Sequence, residues 1–281
     1  MGSSEGRVQQ AGVRTKILFS PQPSWEPALR YFLPGLSLTF LPFDTPGLDP
    51  DAYDIVVPLS IEWERWLNQS APGAFASRAL FPSDEVISLC DDKVAFSRFM
   101  VAKGLGNYVP AIGGDTGYPY VLKQRHDVWG RYTKVIAEPA DEAARLKELE
   151  PGEWFKQQFM PGRDEFTTHM LVSEGFVVFA CTVKYEFAKD QHVHSKGDQP
   201  TRRSVVDHGH LYRLFAGILG LLGYEGLCCV DYKLADGVPK IFEINPRMGA
   251  SLCYAAGPAM QSYQNAVARR FLSQQPEARR A

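Results

Sequence analysis

The chain has 281 residues, of which 45% are hydrophobic, and this is enough to build a core in more than one domain. The formal net charge is −2 and the isoelectric point is about 6.3, so the composition does not favour nucleic acid as a partner. The five cysteines lack CxxC spacing, which argues against a zinc site or a disulfide framework. No apolar leader and no run of about 18 apolar residues occurs, so we expect a cytoplasmic protein with no membrane partner.

The N-terminal part predicts a small α/β unit at 15–90 after a flexible tail at 1–14. Three apolar stretches predict strands: TKILFS, LSLTFLPF and DIVVPLS, the last with the continuous apolar run of a buried parallel strand. PALRYFL, between the first two strands, predicts a short helix. IEWERWLNQSAPGAFASRALFPS contains helical stretches separated by proline and glycine.

The elements change in character from residue 91 onward. DDKVAFSRFMVAKG predicts a helix, with Asp91 or Asp92 as its N-cap and Gly104 at its end. YPYVLKQR predicts a strand, HDVWGRYTKVI a glycine-containing turn, and PADEAARLKELEP a helix. Several strands follow up to KYEF, with a turn at SEG, and then a polar loop that extends to about residue 209. HLYRLFAGILGLLG predicts a helix, LCCVDYKLADGVPKIFEINP a hairpin that turns at ADG, and YQNAVARRFLSQ a closing helix.

The hairpin carries polar residues in an otherwise apolar pattern. Glu243 and Asn245 are two residues apart on one strand, so their side chains point to the same face. Asp231 lies on the partner strand and can be placed opposite them. Two carboxylates and a carboxamide are the oxygen ligands that Mg²⁺ prefers. The alternative is a pair of acids that form a salt bridge with Arg247, and the hairpin alone does not choose between the two.

Two lysines are placed where a phosphate ligand would need positive charge. Lys93 opens a helix, and Lys123 ends the strand YVLK. The turn at Gly130 can bring backbone N–H groups close to phosphate oxygens. A solvated surface position is the alternative for either lysine.

Taken in chain order, DDK, YVLK, KQQFMPGRDEFT, CCVDYKL and FEINPRMGAS resemble the ATP-grasp superfamily of ligases, and no Walker or protein-kinase motif competes with them. The resemblance implies an α/β chain with an α+β ATP-grasp fold, in which ATP lies between two subdomains. It implies a small pre-ATP-grasp domain at 15–90, a first ATP-grasp subdomain at 91–155 and a second at 156–281.

The resemblance also implies nucleotide-binding roles. Lys93 and Lys123 would contact phosphates, and the loop at Gly130 and Arg131 would be the flap, although it has fewer glycines than the family's usual loop. The family also has an acid that binds the ribose hydroxyls of ATP. Counting from the segment that holds adenine favours Asp164 for this role, whereas the EFT context favours Glu165, which we prefer. The residues of the adenine hinge would be Gln157, Gln158, Phe159 and Met160, where the two glutamines stand in place of a common glutamate.

Further implied roles concern the metal and the substrates. Asp231, Glu243 and Asn245 match the magnesium positions of the family. Arg247 would face the transferred phosphate or the substrate, and the segment Gly249 to Ser251 would line the acceptor pocket. Further cations expected near the triphosphate and the substrate carboxylate are Lys184, Arg202 and Arg203. A substrate-loop or solvated role is favoured over zinc binding for His192, His194, His208 and His210.

A carboxylate–amine ligase is therefore the implied activity. Such an enzyme phosphorylates a carboxylate to an acyl phosphate, and an amine then displaces phosphate to form an amide. The implied cofactors are ATP and Mg²⁺, which Mn²⁺ can replace. The implied partners are small carboxylate and amine substrates. Because many family members are dimers, a homodimer is a further expectation. Two alternatives stay open: a phosphotransferase that stops at a phosphorylated product, and a nucleotide-binding protein without turnover.

Overall fold

The computed structural model describes residues 14–70, 73–114, 116–127, 130, 132–149, 153–193 and 198–273. Within these residues the chain forms three β-sheets and seven α-helices. No helix among them is both long and apolar enough to cross a membrane.

The N-terminal unit is a three-stranded parallel sheet with two helices. Its elements are β1 (Lys16–Phe19), α1 (Glu26–Phe32), β2 (Ser37–Phe40), β3 (Ile55–Val57) and α2 (Ile61–Ser70). The strand order is β2-β1-β3, and every residue of β3 is buried, as the apolar run in the sequence predicts. The three predicted strands and the short first helix are confirmed.

Two consecutive helices, α3 (Asp84–Asp91) and α4 (Lys93–Ala102), join this unit to the next. Asp92 separates them, and its Oδ1 accepts hydrogen bonds from the backbone N–H groups of Val94 (3.1 Å) and Ala95 (2.9 Å). Of the two predicted caps, Asp92 is therefore the N-cap of α4. Asp91 instead ends α3, a helix that the sequence pattern did not predict.

A small antiparallel sheet follows, with the strand order β5-β4-β6. Its elements are β4 (Tyr120–Gln124), β5 (Lys134–Ile136), α5 (Pro139–Arg145) and β6 (Trp154–Gln158). The predicted boundary between 155 and 156 falls inside β6, which pairs with β4 along its whole length. We therefore propose that the first subdomain ends after Gln158.

The largest sheet has five antiparallel strands in the order β11-β10-β7-β8-β9. Its strands are β7 (Asp164–Ser173), β8 (Phe176–Glu186), β9 (Arg202–Val206), β10 (Gly226–Ala235) and β11 (Val238–Asn245), and α6 (Gly209–Leu222) packs on it. The predicted polar loop is wrong where β9 occurs. This edge strand pairs with β8 through its backbone, so it needs no run of apolar side chains.

The last helix, α7 (Ala256–Ser273), returns to the N-terminal sheet. The buried hydroxyl of Tyr263 donates to the backbone oxygens of Val56 (3.0 Å) or Leu80 (3.1 Å). At the start of β10, a Cβ atom on Gly226 would lie 2.6 Å from the oxygen of Leu80. The N-terminal unit and the C-terminal part therefore share one hydrophobic core, which fixes the five-stranded sheet beside β1.

Candidate active site

A cavity of about 520 Å³ lies between the small sheet and the five-stranded sheet. Phe242, the extra residue at a β-bulge in β11, lines this cavity, and so do alternate residues in one stretch of each of β7, β10 and β11. These inward-facing residues are Glu165, Thr167 and His169 of β7, Cys229, Asp231 and Lys233 of β10, and Glu243 and Asn245 of β11.

Two carboxylates and one carboxamide form a cluster on this wall. Asp231 and Glu243 are directly opposed in the β10–β11 pairing, as expected from the hairpin. The Asn245 side-chain amide donates to Asp231 Oδ2 (3.0 Å) and to Glu243 Oε1 (3.2 Å). The Thr167 hydroxyl donates to the other oxygen of Asp231. The hydrogen bonds hold both carboxylates in fixed positions around Asn245.

The positive charge that compensates Glu243 comes from α4 and β4. Lys93 Nζ lies 3.2 Å from Glu243 Oε2, so the ion-pair partner of Glu243 is Lys93 and not Arg247. Burial would raise the pKa of Glu243, but the charges of Lys93 and Lys123 outweigh it and hold this pKa well below its usual range. Burial lowers the pKa of Lys123, and the neighbouring charge of Lys93 adds to this effect.

The oxygen atoms of the cluster are of the type that suits a magnesium ion. The side chains of Asp231, Glu243 and Asn245 offer hard oxygen donors. In the described part of the chain, no group of three or more His, Cys, Asp or Glu side chains is arranged to hold a metal. Because Mg²⁺ commonly takes only one or two carboxylates and completes its shell with water and phosphate oxygens, two carboxylates suffice.

Arg247 brings a further positive charge to the same end of the cavity. Its guanidinium donates to Asn245 Oδ1 (3.3 Å) and to the backbone oxygen of Met248 (2.9 Å), and it lies 5.9 Å from the ring centroid of Trp25. No carboxylate pairs with it within the described residues. An anionic ligand in the cavity can therefore pair with Arg247.

The end of β6 and the segment that follows it form another part of the cavity wall. Lys233, which lies in the motif CCVDYKL but is not among the predicted site residues, is buried there and donates to the backbone oxygens of Met160 (3.1 Å) and Gly162 (2.9 Å). Its position two residues after Asp231, on the same face, is the signal that could have identified it. The predicted hinge residues, all of which line the cavity, are Gln157, Gln158, Phe159 and Met160.

Asp164 and Glu165 point to opposite sides of β7. Glu165 is buried and lines the cavity, whereas Asp164 forms an ion pair with Lys184 (2.8 Å) outside it. Lys184 also pairs with Glu186 (3.2 Å), and its hydrogen bond with Asp164 is the main cause of its raised pKa. The expectation that Lys184 faces the triphosphate is therefore not met, because strand alternation turns it away from the cavity.

The remaining predicted residues are divided in the same way. Arg203 lines the cavity and lies 5.8 Å from the ring centroid of Tyr185, whereas Arg202, its neighbour on β9, does not line it. Gly130 lines the cavity, and Arg131 lies outside the described residues. Of the four histidines, His192 lines the cavity and lies 3.7 Å from Glu165. His208 forms a hydrogen bond with the Tyr232 hydroxyl (2.7 Å), and the ring of His210 lies against that of His208. His194 lies outside the described residues.

Neither a protein-family model nor a curated protein sequence matches the chain, but solved structures resemble it. One is D-alanine–D-alanine ligase from Bacillus anthracis, which is 13% identical in sequence and superposes with a TM-score of 0.64. The match covers 93% of this chain and 99% of the ligase. A second is phosphoribosylamine–glycine ligase from Thermotoga maritima, which is 15% identical with a TM-score of 0.63. The match covers 90% of this chain and 76% of that ligase. A third is L-amino acid ligase from Bacillus licheniformis, which is 19% identical with a TM-score of 0.57. The match covers 90% of this chain and 74% of that ligase.

These neighbours are ATP-grasp ligases, and at this level of identity the similarity establishes the fold. The chain has the mixed α/β ATP-grasp fold, as expected from the ordered motifs.

Proposed function

We propose that the protein is an ATP-dependent carboxylate–amine ligase that works through an acyl phosphate. The observation that carries the proposal is the meeting of three cations, on Lys93, Lys123 and Arg247, with the Asp231–Asn245–Glu243 cluster at one end of a single cavity. A triphosphate and a carboxylate repel each other, so bringing them together requires such concentrated positive charge.

ATP would extend along the cavity from the hinge to the charged cluster. The backbone of Phe159 and Met160 would hold adenine, with Gln157 and Gln158 beside it. Glu165 is the proposed ribose ligand rather than Asp164, because only Glu165 lines the cavity. The flap at Gly130 and Arg131 would cover the phosphates.

The reaction would proceed in two displacements. A carboxylate oxygen bonds to the γ-phosphorus while the bond from that phosphorus to ADP breaks. The amine nitrogen then bonds to the acyl carbon, phosphate leaves with the electrons of the carbon–oxygen bond, and the nitrogen loses a proton. Lys93, Lys123 and Arg247 would neutralise the charge that develops on the phosphoryl oxygens. Mg²⁺ held by Asp231, Glu243 and Asn245 would add further neutralisation.

Binding of a non-hydrolysable ATP analogue, measured by calorimetry with and without Mg²⁺, tests the site. We expect magnesium-dependent binding to the wild type and at least tenfold weaker binding to Glu243→Gln. Glu153→Gln is the matched control, because Glu153 is 71% exposed and pairs only with Arg125 in the structure described. Absence of binding to the wild type would refute the proposed site.

A screen of amino acids and small acids, offered in pairs, then tests the reaction. A ligase yields ADP, free phosphate and a joined product by mass spectrometry. A stable phosphorylated product without phosphate release would instead identify a phosphotransferase. Binding without turnover on any pair would support a nucleotide-binding protein.

A further inference from the structure

Three buried polar side chains on the cavity wall have no part in the reaction proposed above: His169, Tyr185 and Ser251. The Tyr185 hydroxyl donates to Ser251 Oγ (2.6 Å), and His169 Nε2 lies 2.7 Å from the same oxygen. Ser251 is therefore held from two sides by residues of β8 and β7.

The protonation states of the two partners follow from their surroundings. Burial raises the pKa of Tyr185, so the phenol keeps its proton and acts as a donor. Burial, assisted by the charge of Arg247, lowers the pKa of His169 to about 3, so its imidazole is neutral near pH 7. A neutral imidazole carries one N–H, on either Nδ1 or Nε2.

The surroundings of His169 Nδ1 assign this proton to Nε2. Nδ1 is buried and has no hydrogen-bond partner among the described residues. A proton there would leave a buried N–H unsatisfied, and such orphaned donors are rarer in folded proteins than unpaired acceptors. With the proton on Nε2, His169 donates to Ser251, and only a lone pair is left without a partner.

Ser251 Oγ then accepts two hydrogen bonds, which occupy both of its lone pairs. Its own proton must take the remaining direction, and the structure records no other hydrogen bond of this hydroxyl within the described residues. Ser251 lines the cavity four residues after Arg247. We propose that Ser251 is a fixed hydrogen-bond donor for the carboxyl oxygen of the substrate, adjacent to the Arg247 guanidinium.

Gly249 allows this arrangement to form. A Cβ atom at this position would lie 2.6 Å from His169 Cε1 and 2.9 Å from Cys229 Sγ. The backbone of Gly249 has φ −93°, which other residues also adopt, so the requirement for glycine is steric. Any side chain here would push the imidazole away from Ser251.

The chemical role rests on the proposed ligase reaction. When the amine bonds to the acyl carbon, the carbonyl π electrons move onto oxygen, and they return when the bond to phosphate breaks. A donor already aimed at this oxygen stabilises its negative charge without reorganising, and loss of one such donor commonly lowers kcat by about 10²–10³-fold. Ser251 would be the donor, whereas His169 and Tyr185 would be positioning residues.

A double-mutant cycle tests the positioning. Ser251→Ala should lower kcat by about 10²-fold and leave binding of the ATP analogue unchanged. Tyr185→Phe should lower kcat by about tenfold, because one lone pair of Ser251 is freed and the hydroxyl can turn. In the Ser251→Ala background Tyr185→Phe should have no further effect; independent, multiplicative effects would overturn the proposal. Tyr212→Phe, which removes a hydroxyl hydrogen-bonded to Thr182 away from the cavity, is the matched control.

Two measurements test the inference without turnover. Nitrogen-15 NMR of histidine-labelled wild-type protein should show His169 protonated at Nε2, and a proton on Nδ1 would overturn the assignment. Acetate, added with Mg²⁺ and the ATP analogue, should shift the Nε2 resonance, with about tenfold weaker affinity in Ser251→Ala. No acetate-dependent shift in the wild type would refute the carboxyl site. Failure of the substrate screen alone would refute only the ligase reaction.

Discussion

Replacement of Glu243 by Gln tests the electrostatics of the site most directly. The substitution conserves volume, and the glutamine oxygen can still accept from Asn245, so the main loss is the ion pair with Lys93. The Lys93 side chain is 9% exposed and that of Glu243 26%, so water screens the pair only partly. A charge-assisted hydrogen bond contributes about 1.5–3 kcal/mol, and we therefore expect Glu243→Gln to lower the free energy of unfolding by about 2 kcal/mol at pH 7.

Urea unfolding from pH 7 to pH 3 measures this effect and its sign. The pKa of Glu243 is lower in the folded protein than in the unfolded chain. Its contribution is thus fully present above the unfolded pKa, about 4.3, and is lost as the pH falls towards the folded pKa. The difference between wild type and variant should therefore shrink with acidification below about pH 4.3. A difference that stays constant with pH, or one no larger than that of the exposed control Glu153→Gln, would refute the reasoning.

Three further substitutions test the core and the hinge. Tyr263→Phe should lower the free energy of unfolding by about 1–3 kcal/mol in urea melts, because the Leu80 backbone groups lose a buried partner; an unchanged value would contradict this. Gly226→Ala should lower the free energy of unfolding by about 2–4 kcal/mol, because the new Cβ atom adds a clash to the strain of φ +93°. Its control is Gly175→Ala, at φ +79° in open space, which should lower the free energy of unfolding by only about 1–2 kcal/mol. Lys233→Met should weaken ATP-analogue binding by about tenfold in calorimetry, because the hinge carbonyls lose their donor; wild-type affinity would exclude a hinge role.

Local pattern was enough to predict most elements and the shared face of Glu243 and Asn245. Counted from the two-residue turn alone, Asp231 would pair with Phe242, and a β-bulge at Phe242 moves Glu243 opposite Asp231. Asn245 shares the face of Glu243 because side chains alternate. The Asp92 cap and the first three strands likewise depend on neighbours in the sequence. Interactions of this kind are encoded within a few residues, so the sequence alone determined them.

Tertiary structure decided which charged residues meet. Lys93 and Glu243 are separated by 150 positions, and only the packing of α4 against β11 makes them partners in place of the nearby Arg247. The inward position of Glu165, rather than Asp164, depends on which face of β7 the cavity covers.

The edge strand β9 and the buried partners of Ser251 were also invisible in the sequence. The strand is held by backbone pairing with β8, which leaves no apolar pattern to recognise. His169, Tyr185 and Ser251 come from three separate segments, and only Ser251 belongs to a motif found in the sequence, FEINPRMGAS. Their hydrogen bonds exist because sheet register and the close approach at Gly249 bring distant residues together, and no local pattern encodes that geometry.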